Sequence, residues 1–246
     1  MKKLSLVMLG LLATQLAARE INFSCDYHSE HVSCGSKSGQ QKQESRLVVS
    51  DAALGGLVEV GLDVRTPFDG DISSKAAPYV AYVYDVCGDG QVGMAYQAYF
   101  YGNTTANKHA NELRLFVSGG GCIDMGADVS FNFEERDFTA SANVGKTFDL
   151  QRYGLKRCSL GASVEFGYDH SARLGGDKQF FAQHDGDVGY FYYGSGLRLT
   201  YAYNPNLSLR AGVQLAGNAS SKKSWANELG HHRNLFWFTS GVAATF

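Results

Sequence analysis

Proline and methionine are scarce in this chain of 246 residues, at 3 and 4. No stretch beyond the first eighteen residues is long and apolar enough for a membrane-spanning helix. There is no excess of one charge either: 22 basic residues stand against 24 acidic ones, which argues against a nucleic-acid partner. These absences remove helical membrane bundles and nucleic-acid binders. They leave β-barrels standing, because barrel strands alternate apolar and polar residues and so look soluble by hydropathy. What is plentiful is glycine (29), phenylalanine (15) and tyrosine (14), the composition of an all-β chain with aromatic strands and glycine turns.

The opening "MKKLSLVMLGLLATQLAA" has two lysines, a short apolar run and small residues up to Ala18. It reads as a secretory signal, residues 1–18, cleaved near Ala18. No cysteine follows it directly, which argues against a lipoprotein. The mature chain is therefore expected outside the cytoplasm.

Ten later segments alternate with period two: 57–65, 78–86, 92–101, 112–118, 123–133, 138–148, 159–168, 188–203, 207–216 and 234–246. In 123–133, Ile123, Met125, Ala127, Val129, Phe131 and Phe133 oppose Asp124, Gly126, Asp128, Ser130 and Asn132. The phase of 188–203 slips near Gly194-Ser195-Gly196, where a bulge is expected. The final segment keeps its alternation to Phe246, as a strand that closes a barrel would. The connections sort by length. Residues 66–77, 102–111, 134–137, 169–187 and 218–233 are mostly long and polar, whereas 87–91, 119–121, 149–157 and 204–206 are mostly tight. Long loops on one rim and short turns on the other are the habit of a bacterial outer-membrane barrel. Aromatics recur ten or eleven residues apart, Tyr190 and Tyr192 against Tyr201 and Tyr203, and Phe236 against Phe246, as two interfacial belts would.

The expected fold is all-β: an antiparallel, up-and-down transmembrane barrel of about ten strands, with eight or twelve as alternatives, spanning residues 54–246. Residues 19–53 are expected to form an N-terminal periplasmic arm that a disulfide could close. These features, with "LRLTYAYNPNLSLRAGVQLAG" before a closing aromatic strand, resemble the small outer-membrane β-barrel superfamily and its porin-like members. The resemblance implies a location in the bacterial outer membrane among its lipid and lipopolysaccharide. It also implies that Phe246 ends an assembly signal read by the barrel-insertion machinery, and it carries over no catalytic residue and no cofactor.

The polar faces assign Glu59, Asp63, Asp85, Glu112, Asp124, Asp128 and Glu165, with Arg65, Arg114, Arg198 and Arg210, to the lumen. Such charges fill a narrow barrel as ion pairs, and their acidic excess would favour cations along any open path. The function expected is a narrow porin-like or structural barrel, with no enzymatic activity. Two other readings stay open. One is a hydrolase of lipid or peptide acting through loop 169–187, which gathers Asp169, His170, Ser171, His184, Asp185 and Asp187. The other is an adhesion or binding barrel using its long loops. In "CDYHSEHVSC", Cys25, His28, His31 and Cys34 have the donors of a tetrahedral zinc site, though a Cys25–Cys34 disulfide suits an oxidising compartment better. With five cysteines at least one stays unpaired, and Cys87, Cys122 and Cys158 all fall at turns of one rim.

Overall fold

A computed structural model describes residues 20–29, 31–33, 36–39, 42–68, 74–86, 88–102, 109–134, 136–171, 188–219 and 234–246. The expected signal segment, Cys34, Cys87, His184, Asp185 and Asp187 lie outside the described residues. The strands are β1 (Glu20–His28), β2 (His31–Ser33), β3 (Ser36–Gly39), β4 (Lys42–Ala53), β5 (Gly56–Pro67), β6 (Lys75–Asp85) and β7 (Gln91–Tyr101), then β8 (His109–Gly119), β9 (Asp124–Asn132) and β10 (Asp137–Asp149). They continue with β11 (Cys158–Ser171), β12 (Val188–Asn204), β13 (Leu207–Ala219) and β14 (Asn234–Thr245). Strands β1 and β4 to β14 pair in chain order into a closed antiparallel barrel, while β2 and β3 pair with each other.

The barrel thus has twelve strands, not the ten favoured from sequence. The two additional strands are β1 and β4, from residues expected to be an arm. Closure explains their place, because β14 needs a partner for its second edge and finds it in β1. The seam pairs Cys25 with Val242 and Tyr27 with Ser240. It ends in a reciprocal pair of hydrogen bonds between Ile21 and Phe246, each 2.9 Å. The strand ends joined by 54–55, 86–90, 120–123, 150–157 and 205–206 share one rim; those joined by 29–41, 68–74, 102–108, 133–136, 172–187 and 220–233 share the other. At the two-residue turn 54–55, Leu54 and Gly55 both take positive φ, 55° and 80°, the geometry that continues strand twist through two residues.

Register assigns each residue a face. Ile21, Phe23, Leu47, Leu62, Val80, Met94, Leu115, Val129, Phe166, Leu197, Leu209 and Phe236 are all exposed and face outwards, and among the described residues no large side chain is fully buried. This reverses the usual order of a soluble domain: the apolar side of the sheet faces away from the molecule. β12 keeps one phase from Phe191 to Ala202, so the bulge expected at Gly194–Gly196 is absent and the irregularity falls between Ala202 and Asn204. Unbroken phase turns Tyr192 inwards, where it is buried, so it does not belong to an outer belt. Phe191, Tyr201, Tyr203, Phe236 and Phe246 are exposed as a belt requires.

Inward glycines sit directly across from inward rings: Gly61 from Tyr79, Gly93 from Phe116 and Gly167 from Tyr192. A Cβ on any of the three would overlap the facing ring. Each ring lies flat over its neighbour's bare backbone, which lets large aromatics line a curved wall. Gly61→Val or Gly167→Val must displace a buried ring and should cost about 1–3 kcal/mol in urea unfolding of the lipid-reconstituted barrel. The outward change Ala211→Val should leave the unfolding midpoint unchanged.

Candidate functional site: a lumen with two unlike walls

The inner faces of β4 to β8 carry long polar side chains in connected groups. Glu44 gathers Lys42 at 2.8 Å, Arg65 at 2.8 Å and His28 at 3.3 Å. Beside it, Arg46 donates to the Tyr79 hydroxyl at 2.7 Å and lies 3.5 Å from Asp63. Gln97 donates to the other Asp63 oxygen at 3.3 Å and accepts from the Tyr99 hydroxyl at 3.0 Å, and the Lys75 ammonium sits 3.5 Å from the Tyr99 ring centre. Arg114 pairs with Asp128 at 2.9 Å, and Ser141 donates to the same oxygen. Groups from β4 to β7 can reach one another over intervening strands only through the interior. Between them lies a cavity of about 300 Å³ lined by Arg46, Asp63, Lys75, Glu112, Arg114 and Asp128.

The opposite wall is built from small residues. Register points inwards Ser141, Asn143, Gly145 and Thr147 of β10, Gly161 and Ser163 of β11, and Gly194 and Gly196 of β12. Gly212 of β13 and Thr239, Gly241 and Ala243 of β14 continue it. Two ties interrupt this wall. Arg210 meets Asp26 at 3.0 Å across β14, and the Tyr192 hydroxyl donates to Glu165 at 3.3 Å. Arg198 is exposed and faces the interior between Gly161 and Gly212. Higher on this side Trp237 is buried against Ala216 and Leu235, with no hydrogen-bond partner for its indole N–H among the described residues.

Near the tight-turn rim the inner face turns acidic. Glu20, Glu59, Asp85, Asp124 and Asp149 lie within a few residues of strand ends on that side. Gln91 donates to Asp85 at 2.9 Å, and Asp149 accepts the Gln151 N–H at 2.9 Å. None of the five carboxylates pairs with a cation among the described residues.

The residues assigned to the lumen from sequence, Glu59, Asp63, Asp85, Glu112, Asp124, Asp128 and Glu165 with Arg65, Arg114, Arg198 and Arg210, all occupy inward positions of the register. Sequence reading missed Asp26, Lys42, Glu44 and Arg46 because they sit in the supposed arm. The two-residue repeat through Lys42, Glu44 and Arg46 was the available signal. Cys25 and His28 fall on opposite faces of β1: Gln43 and Ser45 on the outer face both contact the Cys25 sulphur, while His28 meets Glu44 inside. Strand geometry therefore separates two of the four suggested zinc ligands. Cys25, Cys122 and Cys158 carry free thiols. His170 lies within β11, not in a loop, and its ring stacks on Tyr168 of the outer row, 6.3 Å between centres. Asp169 takes the opposite face, so among the described residues the hydrolase reading lacks a base facing an acid.

No protein-family model and no curated protein matches this chain. Its fold is similar to that of an outer-membrane channel from Pseudomonas putida F1, at 8% identity and a TM-score of 0.58, covering 93% of this chain and 96% of that one. It is also similar to the NanC porin, at 11% identity and a TM-score of 0.51, covering 91% and 98%. At such identities the likeness is one of fold: a closed antiparallel barrel of the kind those channels use.

Truncating Arg210 strands the half-buried Asp26, so Arg210→Ala should cost about 2 kcal/mol in urea unfolding. Arg114 is about half exposed, and Arg114→Ala should cost no more than about 1 kcal/mol. At the long-loop rim, burial pushes the Glu134 carboxyl up, but the backbone and side-chain N–H groups of Asn111 together outweigh it and hold the group below the usual carboxylate range. A lowered value makes the latch fully present at neutral pH and lost as pH falls through the folded-state value. Protection of the Asn111 amide against hydrogen exchange should therefore fall in acid in the native chain and be low at every pH in Glu134→Ala, which has no acceptor.

Proposed function

We propose that the chain is a narrow outer-membrane channel, without enzymatic activity, that passes small polar solutes and prefers cations. An apolar, aromatic-rimmed outer face around a charged interior supports the membrane location, since only a closed barrel satisfies every strand's backbone groups in lipid. Outer-membrane lipid and lipopolysaccharide are then its surroundings, and the strand ending at Phe246 is its signal to the insertion machinery.

The observation that carries the channel reading is the unlikeness of the two inner walls. Eight-stranded barrels are filled by their own side chains, while sixteen strands or more leave an open channel. Twelve lie between, so filling depends on which residues point in. Ion-paired groups from β4 to β8 occupy one half, and glycine, serine and threonine along β10 to β14 leave space beside them. The path runs along that second wall. Carboxylates that form no ion pair among the described residues at the tight-turn mouth give it a cation preference, as acidic rings do in channels.

Single-channel recording in planar bilayers tests this. Discrete steps with cation preference are expected. Gly196→Trp or Ser163→Trp should cut the step size several-fold, while the lipid-facing Ala211→Trp should not. Asp124→Asn with Glu59→Gln should lower the cation preference at unchanged step size. A folded barrel that remains electrically silent would sink the proposal.

A further inference from the structure

We propose that the outer face of β10 to β14 holds one phospholipid on the tight-turn side, its acyl chain in a shallow groove and its phosphate on Lys146. The inference rests on the membrane reading above. Register makes Lys146 the one lysine or arginine in the outward rows of the described strands. It lies three residues from the end of β10, and its ammonium is 5.6 Å from the Phe148 ring centre. No carboxylate pairs with it among the described residues.

A lysine facing lipid is costly towards the bilayer centre and tolerated near the interface. Here its surroundings favour an anion. The turn from β10 to β11 adds Arg152, Lys156 and Arg157, all exposed, while the nearby Asp149 faces inwards. Tyr153 and Leu155 of that turn are 79% and 52% exposed, the amphipathic pattern of a segment at headgroup depth. Directly opposite Lys146 lies Ala162, and Ser195 of β12 stands one outward step further from the turn, across from Val164. These small residues floor a groove of about 510 Å³ whose sides include Val144, Leu215 and Phe236, with Lys146 on its edge. The groove takes a hydrocarbon chain while the lysine stem reaches towards the phosphate. A second, larger outer hollow of about 770 Å³, lined by Leu115, Ala127, Ala140, Phe166 and Phe191, has no cation on its edge. It serves as an internal control.

The full chain, refolded and verified by its heat-shifted gel mobility, is analysed by native mass spectrometry from micelles with equal phosphatidylglycerol and phosphatidylcholine. One retained phosphatidylglycerol is expected, preferred about fivefold, the effect of one lysine near an anionic lipid. Lys146→Gln should abolish the preference. Ala162→Phe, or Ser195→Leu should the first fold poorly, should lower retention of both lipids, and Ala140→Phe in the control hollow should change neither. A preference that survives Lys146→Gln, or falls equally with Ala140→Phe, overturns the site. Insertion of the same protein into vesicles is read separately. A barrel that inserts without the preference refutes this lipid site alone, whereas one that fails to insert refutes the membrane reading.

Discussion

Closure of the hydrogen-bond ladder at the β1–β14 seam is the constraint on which the rest of this molecule depends. An open twelve-stranded sheet would leave two rows of unpaired N–H and C=O groups, tolerable in water and prohibitive in the hydrocarbon of the proposed location. Once the seam forms, every strand has two neighbours and the backbone is satisfied without help from side chains. Side chains are then free to be sorted by face alone. The outer rows can be apolar and loosely packed, and the inner rows can carry charge. The absence of a fully buried large side chain among the described residues follows from this, because closure and not a dry core holds the sheet.

The inner surface shows how that freedom is used. The rings of Tyr79, Phe116 and Tyr192 each lie over a glycine on the adjacent strand. This removes their bulk from the lumen's centre and leaves their edges and hydroxyls to organise charge: Tyr79 meets Arg46 and Tyr192 meets Glu165. The Arg46, Asp63, Gln97 and Tyr99 group then makes a crowded, rigid half. The other half leaves Gly161, Gly194 and Gly196 uncovered, and Arg210 is tied back to Asp26 over Gly241 along the wall. Long ion-paired side chains and small residues are thus assigned to different arcs of one circle.

The ten later strands and the sorting of loops by rim were legible because their outward rows are apolar over most of their length. β1 was not, although Ile21, Phe23, Cys25 and Tyr27 alternate with Glu20, Asn22, Ser24, Asp26 and His28. The three-residue spacing of cysteine and histidine drew attention to ligand chemistry, yet on a strand that spacing sends neighbours to opposite sides. β4 hides differently. Its outward row begins with Gln43 and Ser45, near the rim, and its inward row includes Val48, so neither face looks pure. Losing these two strands removed Asp26, Lys42, Glu44 and Arg46 from the expected lumen and made the expected barrel narrower than the one observed. The supposed slip in β12 had a similar cause: Tyr192 was read as an interfacial aromatic, when its partner Gly167 gives it room inside. Which carboxylate meets which guanidinium depends on register, and composition does not encode register.

The reciprocal hydrogen bonds between Ile21 and Phe246 set the seam apart in time as well as in space. Every other junction in the barrel joins strands adjacent along the barrel's chain order, so hairpins can zip up successively across connections far shorter than the whole barrel. Only β1 with β14 unites segments from opposite ends of the described chain, and contacts of high sequence separation are the slow ones in folding. The rate of becoming a barrel is therefore concentrated in one junction. Changes in the pairing of Phe23 with Ala244 or Cys25 with Val242 would alter how fast the cylinder shuts while leaving the eleven hairpin junctions as they are.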